Sequence, residues 1–246
     1  MSPIDDPTDL LRMLTASYFS RFRLLAVALS ALSLSASLAQ TQGVLYDPQP
    51  PADSAYLRVI VVAAAKPFEV QLDGKTRVQS LAAATPSDYM VVKAGKHQLA
   101  LRGGTPDSTT EVPLDIVAGR TLTVALDALR PDSKPVLFQD RTNANKLKAL
   151  LTVYHLASAL GPVDLLTADG ATRVFSGVAP GTSASLPVNP VTVELQAHKA
   201  GDVTPFARAG LTMTNGTTYS LWLLPGEGGK PVLKPGVNAL ERYTGK

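Results

Sequence analysis

Apolar and polar positions alternate along this chain in short runs that turn residues separate. Residues 148–170 predict a strand, a loop broken by Gly161 and Pro162, and a second strand that ends in an Asp-Gly turn. Asp-Gly between alternating strands indicates a tight hairpin, because glycine accepts the positive φ of such a turn. Beyond the N-terminal apolar run, no segment shows an apolar period of 3.6, so the pattern predicts an almost entirely β protein.

The same hairpin pattern occurs earlier in the chain. Residues 56–74 again give a strand, a loop closed by proline, an alternating strand and an Asp-Gly turn. Gly119 and Gly216 precede two matching strands. The number of residues from Asp73 to Asp169 nearly equals the number from Gly119 to Gly216. A nearly constant offset over such a distance indicates duplication of a whole domain.

We therefore predict two tandem β-sandwich domains at residues 44–130 and 147–246, joined by a linker at 131–146. Alternation around residue 123 places Leu122 and Val124 on a core face. Strands are predicted near 56–62, 68–72, 77–81, 89–92, 97–101, 111–116 and 121–126, then near 149–155, 163–167, 173–178, 183–186, 191–196, 206–213 and 217–224, with a last short strand near 231–234.

The N-terminal segment has the pattern of an export signal. Arg21 and Arg23 precede an apolar run at 24–38 that ends in small residues, which predicts a Sec-type signal peptide with cleavage after Ala39. Residues 1–39 are thus an N-terminal extension and signal peptide, and the mature chain is expected in the periplasm. An uncleaved anchor is the competing interpretation, although the run is short for a membrane span.

Composition narrows the chemistry. The formal net charge is +3, and lysines and arginines are scattered without a basic run, which argues against nucleic-acid binding. The chain has no cysteine, so disulfides and thiolate catalysis are excluded. With three histidines, no G-x-S-x-G elbow and no paired ligands at metal spacing, the sequence predicts no catalytic residue, no metal site and no cofactor.

Strand aromatics raise the question of sugar binding. An exposed row of aromatic rings on a sandwich would suit stacking of sugar rings. The competing interpretation places Trp222 in a core, because Leu221 and Leu223 flank it and large aromatics are usually buried. The aromatic residues concerned are Tyr89, Tyr154, Tyr219 and Trp222.

Several motifs follow one another in a characteristic order, namely Val44-Leu45-Tyr46 with Pro48, residues 56–59, Asp88-Tyr89 with Gly95, Phe138 before residues 148–154, residues 166–170 and residues 188–191. This order resembles the AlgF family of alginate biosynthesis proteins. The resemblance implies two β-sandwich domains related to carbohydrate-binding modules and a periplasmic accessory role in O-acetylation of an exopolysaccharide. It also implies that the protein acts together with a membrane-bound acyltransferase and periplasmic acetyltransferases. The polymer would be alginate or acetylated cellulose.

We expect a non-catalytic adaptor that contacts a partner through one sheet face or the linker groove. The candidate binding residues are Arg58, Tyr154, His155 and Trp222. Arg58 offers a fixed charge for a carboxylate of a partner or a uronate, whereas a solvated arginine on an edge strand is the alternative. Two other functions stay open, a polysaccharide-binding module and an acetyl-relay enzyme that uses a serine with His155 as base.

Overall fold

The computed structural model describes residues 49–64, 66–103, 109–127 and 134–244. The predicted signal peptide and its cleavage after Ala39 lie outside these residues. The described chain contains strands and a single short 3-10 turn, Glu227–Gly229, which confirms the predicted β class. Within the described part, no helix has the length and apolar character to cross a membrane.

The first half forms β1 to β8 and the second half forms β9 to β16. The first eight strands are β1 (Ser54–Ala63), β2 (Phe68–Leu72), β3 (Lys75–Leu81), β4 (Met90–Lys93), β5 (Gly95–Gly103), β6 (Thr109–Ile116), β7 (Thr121–Asp127) and β8 (Val136–Gln139). The second eight are β9 (Ala149–His155), β10 (Val163–Thr167), β11 (Arg173–Val178), β12 (Ser183–Val188), β13 (Val191–Lys199), β14 (Pro205–Met213), β15 (Thr218–Leu224) and β16 (Val232–Val237).

Strand order demonstrates the duplication. The first half builds one sheet in the order β4-β1-β7-β8 and another in the order β3-β2-β5-β6. The second half repeats both orders as β12-β9-β15-β16 and β11-β10-β13-β14. In each half the first and seventh strands are parallel, whereas the other pairs are antiparallel. The two tandem sandwiches predicted from the repeated hairpin are therefore confirmed.

Three apolar clusters hold the four sheets together as successive layers. One cluster fills the first sandwich and includes the predicted core residues Leu122 and Val124. A second fills the other sandwich. The third joins the outer faces of the β1-β7 and β9-β15 pairs, and it contains Ile60, Val62, Ala125, Phe138, Tyr154, Leu156, Trp222 and Leu224. The sandwiches consequently pack sheet against sheet.

The predicted linker at 131–146 contains a strand that the sequence analysis missed. β8 (Val136–Gln139) pairs antiparallel with β7 and forms the edge of the first sandwich. The prolines and acidic residues around this strand predicted a loop. An edge strand tolerates such residues because the backbone groups on one of its sides make no hydrogen bonds to a neighbouring strand. The connection proper therefore begins at Asp140. The strands β2, β9, β10 and β11 have the predicted bounds.

Candidate site between the two sandwiches

A buried guanidinium lies at the centre of the contact between the sandwiches. Arg58 is on β1, a central strand, and only 1% of its surface is exposed. Its side chain leaves the sheet on the face opposite the core residues Leu57 and Val59, because successive strand residues point to opposite faces. Packing of the second sandwich on that face removes the guanidinium from water.

Four hydrogen bonds satisfy the Arg58 guanidinium. Nε donates to Thr123 Oγ1 at 2.8 Å, and Nη1 donates to Asn238 Oδ1 at 2.8 Å. Nη2 donates to Tyr154 Oη at 2.8 Å and to Ser220 Oγ at 3.0 Å. Three of the four acceptors belong to the second half of the chain, so Arg58 links the two sandwiches directly.

Hydroxyl groups connect this cation to the carboxylate of Asp140. Thr123 Oγ1 and Tyr154 Oη, which both accept from Arg58, donate onward to the two Asp140 oxygens at 2.5 and 2.7 Å. Tyr89 Oη donates to Asp140 Oδ2 at 2.7 Å. The Thr123 and Tyr154 hydroxyls thus direct their protons toward the anion and their lone pairs toward the cation. This arrangement compensates the buried charge through one intervening hydroxyl.

Burial fixes the protonation state of the two phenols. Burial makes the largest contribution to the pKa of Tyr89 and of Tyr154 and raises both far above the usual range. The Asp140 carboxylate acts in the same direction. The opposing influence of the Arg58 cation is smaller. Both phenols therefore keep their protons and act as hydrogen-bond donors to Asp140.

Aromatic rings surround the guanidinium. Its carbon lies 4.4 Å from the ring centroid of Tyr89, 4.8 Å from that of Trp222 and 5.2 Å from that of Tyr154. The Tyr154 and Trp222 rings stack at 4.2 Å, while Phe138 meets Tyr154 edge-on at 5.2 Å. Desolvated cation–π contacts of this kind stabilise a buried arginine. The aromatic rings therefore complete the environment of the cation.

The C-terminal tail fastens the second sandwich onto the first. Asn238 Oδ1 accepts hydrogen bonds from Arg58 and from Ser220 Oγ. Backbone bonds then join Tyr89 to the tail: its N–H donates to Ala239 O, and its carbonyl accepts from the N–H of Glu241, each at 2.9 Å. The tail thereby lies along the edge of the first sandwich beside β4.

The structure brings together three of the four predicted binding residues. Arg58, Tyr154 and Trp222 form the centre of the interface, whereas His155 is on β9 directed away from it. His155 Nε2 lies 3.0 Å from Gly161 O, and burial lowers its pKa. All four side chains are at most 1% exposed, and their direct contact with a partner stays a prediction.

Two of the alternatives drawn from the sequence are wrong. Arg58 is not a solvated edge residue, because β1 lies between β4 and β7 and the second sandwich covers it. The proposed row of exposed aromatics does not exist. These rings are buried in the interface or in the core of the second sandwich, with exposed fractions between 1% and 6%. The residues are Tyr89, Tyr154, Tyr219 and Trp222.

Sequence reasoning missed the partners of Arg58. Thr123 and Ser220 occupy matching positions of the repeat. On β7, Thr123 lies opposite Arg58 of β1, and on β15, Ser220 lies opposite Thr152, the residue of β9 that corresponds to Arg58. A hydroxyl at the same place in two strands with apolar neighbours was the available signal. Asp140 and Asn238 gave none, because both stand in turn-rich segments where such residues are common.

Comparison with known proteins finds relatives that match most of the sequence. A model of the family described as alginate O-acetyl transferase AlgF matches residues 26–216. The alginate biosynthesis protein AlgF of Pseudomonas aeruginosa is 31% identical over 84% of this chain and 88% of its own length. The protein of the same name from Pseudomonas putida is 28% identical over 79% and 86%, respectively.

Among solved structures, the C-terminal domain of AlgF from P. aeruginosa is 32% identical to the chain. The match covers 38% of this chain and 98% of that domain, with a TM-score of 0.30. The family matches extend over most of the sequence and confirm the resemblance carried by the strand motifs. The chain belongs to the AlgF family of alginate biosynthesis proteins.

Proposed function

We propose that this chain is a non-catalytic accessory protein that acts in the periplasm in the O-acetylation of alginate. Its partners are the periplasmic acetyltransferases of the same system, together with the membrane-bound acyltransferase. Family membership supports the pathway. The observation that carries the accessory role is that no histidine of the described chain, which would have to activate a serine, has a serine hydroxyl as hydrogen-bond partner.

Each histidine is placed unsuitably for acetyl transfer by a serine. Nδ1 of His97 contacts the Asp73 carboxylate and Nε2 contacts Lys93 O, both at 2.7 Å. His155 uses Nε2 on Gly161 O and is fully buried, and His198 is 3% exposed. In the described chain, no histidine nitrogen has a serine hydroxyl as partner. A nucleophilic serine needs a base within hydrogen-bond reach.

The competing function is an acetyl-relay enzyme. It is considered because the family is described as a transferase. Incubation with an activated acetyl ester followed by intact-mass analysis separates the two functions. The accessory role predicts no stoichiometric adduct. One stable acetyl group on a single serine, absent from a His155→Gln variant, would establish the relay instead.

Partner binding is tested by capture of the periplasmic acetyltransferases on the mature chain, residues 40–246, with an unrelated exported β protein as control. Calorimetry against oligosaccharides runs in parallel. Capture of an acetyltransferase supports the accessory role, whether or not sugar also binds. Sugar binding without any captured protein would indicate a polysaccharide-binding module, which is the remaining alternative.

The polymer is identified in cells. Alginate is proposed because the relatives named above are alginate biosynthesis proteins. Deletion of the gene should remove acetyl groups from alginate while leaving the polymer yield unchanged, and the wild-type chain should restore them. Loss of acetyl groups from cellulose alone would assign the chain to that polymer.

A further inference from the structure

One end of the molecule gathers turns from both sandwiches and from the connection between them. The beginnings of β1, β7 and β15 lie at this end, because Tyr56, Thr121 and Thr218 line one common cleft. The same cleft is lined by Arg141 of the connection and by Leu240 of the C-terminal tail. These segments therefore form one continuous surface.

The connection holds an apolar side chain in solvent at this end. Leu147 is 77% exposed and stands between Lys146 and Lys148. The Lys148 N–H donates to Asn145 O at 3.1 Å, and the Leu147 N–H donates to Asn145 Oδ1 at 2.9 Å. These bonds define a tight turn with Lys146 and Leu147 at its tip. Asn143 Nδ2 donates to Lys148 O at 2.9 Å and fixes the turn further.

Other apolar side chains are exposed at the same end. Val117, in the turn that precedes β7, is 59% exposed, and Leu240 of the tail is 60% exposed. Val237 at the end of β16 is exposed as well. Apolar residues exposed singly need no explanation, but a group of them on one surface marks an interaction site.

Unpaired cations accompany these apolar side chains. Arg120 lies in the turn before β7, and Arg141 and Lys146 lie in the connection, all exposed. Among the described residues, none of these three side chains forms an ion pair. Asp140 precedes Arg141 in sequence, but its carboxylate is bound by the hydroxyl groups of the Arg58 cluster.

Carboxylates beside these cations do not neutralise them. Asp53 lies 3.7 Å from Lys93 Nζ, and Glu241 pairs with Arg77. Asp115, near the end of β6, is exposed and forms no ion pair within the described chain. One unpaired carboxylate does not balance three unpaired cations, so the charge of this surface is positive.

This combination of side chains suits a lipid surface better than a protein surface. Protein interfaces are depleted of lysine and are centred on aromatic anchors. The exposed side chains here are instead aliphatic residues on turns, with lysine and arginine beside them. Anionic headgroups attract such cations, and apolar side chains at turn tips can enter the boundary between headgroups and acyl chains.

We propose that this end of the molecule docks on the surface of an anionic lipid bilayer. The cations contact headgroup phosphates, while Leu147 and Leu240 enter the boundary of the acyl region. Which membrane is bound rests on the proposed function, because an accessory protein docked in this way would be held beside the membrane-bound acyltransferase. The docking surface comprises Val117, Arg120, Arg141, Lys146, Leu147 and Leu240.

The first test is flotation of the chain purified from the periplasm with lipid vesicles. We expect binding to phosphatidylcholine vesicles that contain phosphatidylglycerol, no binding to phosphatidylcholine alone, and release at high salt because salt screens the attraction. The triple variant Arg120→Gln, Arg141→Gln, Lys146→Gln should weaken binding by about a hundredfold, since each cation near an anionic surface contributes about fivefold.

A matched charge control is the triple variant Arg102→Gln, Lys199→Gln, Lys230→Gln. It removes the same charge from exposed residues at the opposite end, where β5, β13 and β15 end. It should bind the vesicles as the wild-type chain does. Equal weakening of both variants, equal binding to uncharged vesicles, or no binding to either vesicle would each overturn the proposal.

Insertion of Leu147 is measured separately. The chain has no cysteine, so a Leu147→Cys variant can be labelled at one place with an environment-sensitive fluorophore. Its emission should rise with phosphatidylglycerol vesicles and be quenched by spin-labelled lipid. The control is Val203→Cys, 89% exposed in the turn between β13 and β14, which should not respond. Equal responses, or a response at position 147 to an acetyltransferase and not to vesicles, would overturn the proposal.

Failure of the docking surface and failure of the accessory role can be told apart. A wild-type chain that captures an acetyltransferase but does not bind vesicles would overturn the docking surface and leave the accessory role intact. A chain that binds vesicles through Arg120, Arg141 and Lys146 but captures no acetyltransferase would support the docking surface and contradict the accessory role.

Discussion

Arg58 Nη2 and Tyr154 Oη lie 2.8 Å apart and join the first strand of one sandwich to the first strand of the other. Register shows that the two residues are not equivalent copies. Arg58 pairs with Thr123 as Thr152 pairs with Ser220, whereas Tyr154 pairs with Trp222. The duplicated faces have therefore diverged: the first copy supplies the cation at this position of the repeat, and the second copy supplies the Tyr154 and Trp222 rings beside it.

Replacement of Arg58 by methionine should lower the free energy of unfolding by about 3 kcal/mol, because the buried acceptors lose their charged donor. Trp222 is the chain's only tryptophan and lies 4.8 Å from the guanidinium, so its fluorescence reports this interface in urea titrations. The exposed Arg102→Met control should stay within about 0.5 kcal/mol. Equal stability of both variants would show that Arg58 does not hold the interface.

The Tyr154 hydroxyl and the Asp140 carboxylate should be energetically coupled. In a double-mutant cycle with Tyr154→Phe and Asp140→Asn, we expect a coupling of about 1 kcal/mol, since the 2.7 Å bond is charge-assisted. Urea denaturation supplies the four stabilities. The Tyr219 hydroxyl contacts Thr214 instead, so a cycle with Tyr219→Phe should give no coupling. Strict additivity in the first cycle would remove Asp140 from the network.

Glu241 should protect the edge of the first sandwich. Its Oε1 accepts from the Val91 N–H at 2.7 Å and pairs with Arg77 at 2.5 Å, with both side chains partly exposed. Glu241→Ala should cost about 1 kcal/mol and speed hydrogen exchange of the Val91 amide roughly fivefold. The matched control is Glu227→Ala in the exposed turn. Unchanged exchange at Val91 would contradict the role of the tail.

Stability should fall in mild acid because of His155. Burial lowers the pKa of this histidine below its ordinary value of 6.5, so the unfolded chain takes up a proton that the native chain resists. The contribution is complete above pH about 6.5 and is lost as pH falls, with a slope of up to about 1.4 kcal/mol per pH unit.

His155→Gln provides the comparison, since glutamine can still donate to Gly161 O but does not titrate. Chemical denaturation between pH 7 and pH 5 should show a smaller slope for the variant. NMR titration of the His155 ring in the wild-type chain gives a second readout that does not depend on the variant folding. A native pKa above 6.5 would reverse the predicted sign.

The sequence by itself determined the β class, the duplication and most strands, because alternation and Asp-Gly turns are local signals. It also determined that one face of β7 is core. The continuous apolar run after Arg58 also indicated that β1 is covered on both faces, because strands buried on both faces have such continuous apolar runs.

Only the tertiary structure decided what covers the second face. The partners of Arg58 include Tyr154, Ser220 and Asn238, which lie 96, 162 and 180 positions away in sequence. No periodicity connects such residues, because their contact depends on how one folded sandwich packs against another. An arginine between apolar neighbours looks the same in sequence whether water or a second sheet surrounds it, and the packing of the duplicated domain made it a buried interface residue.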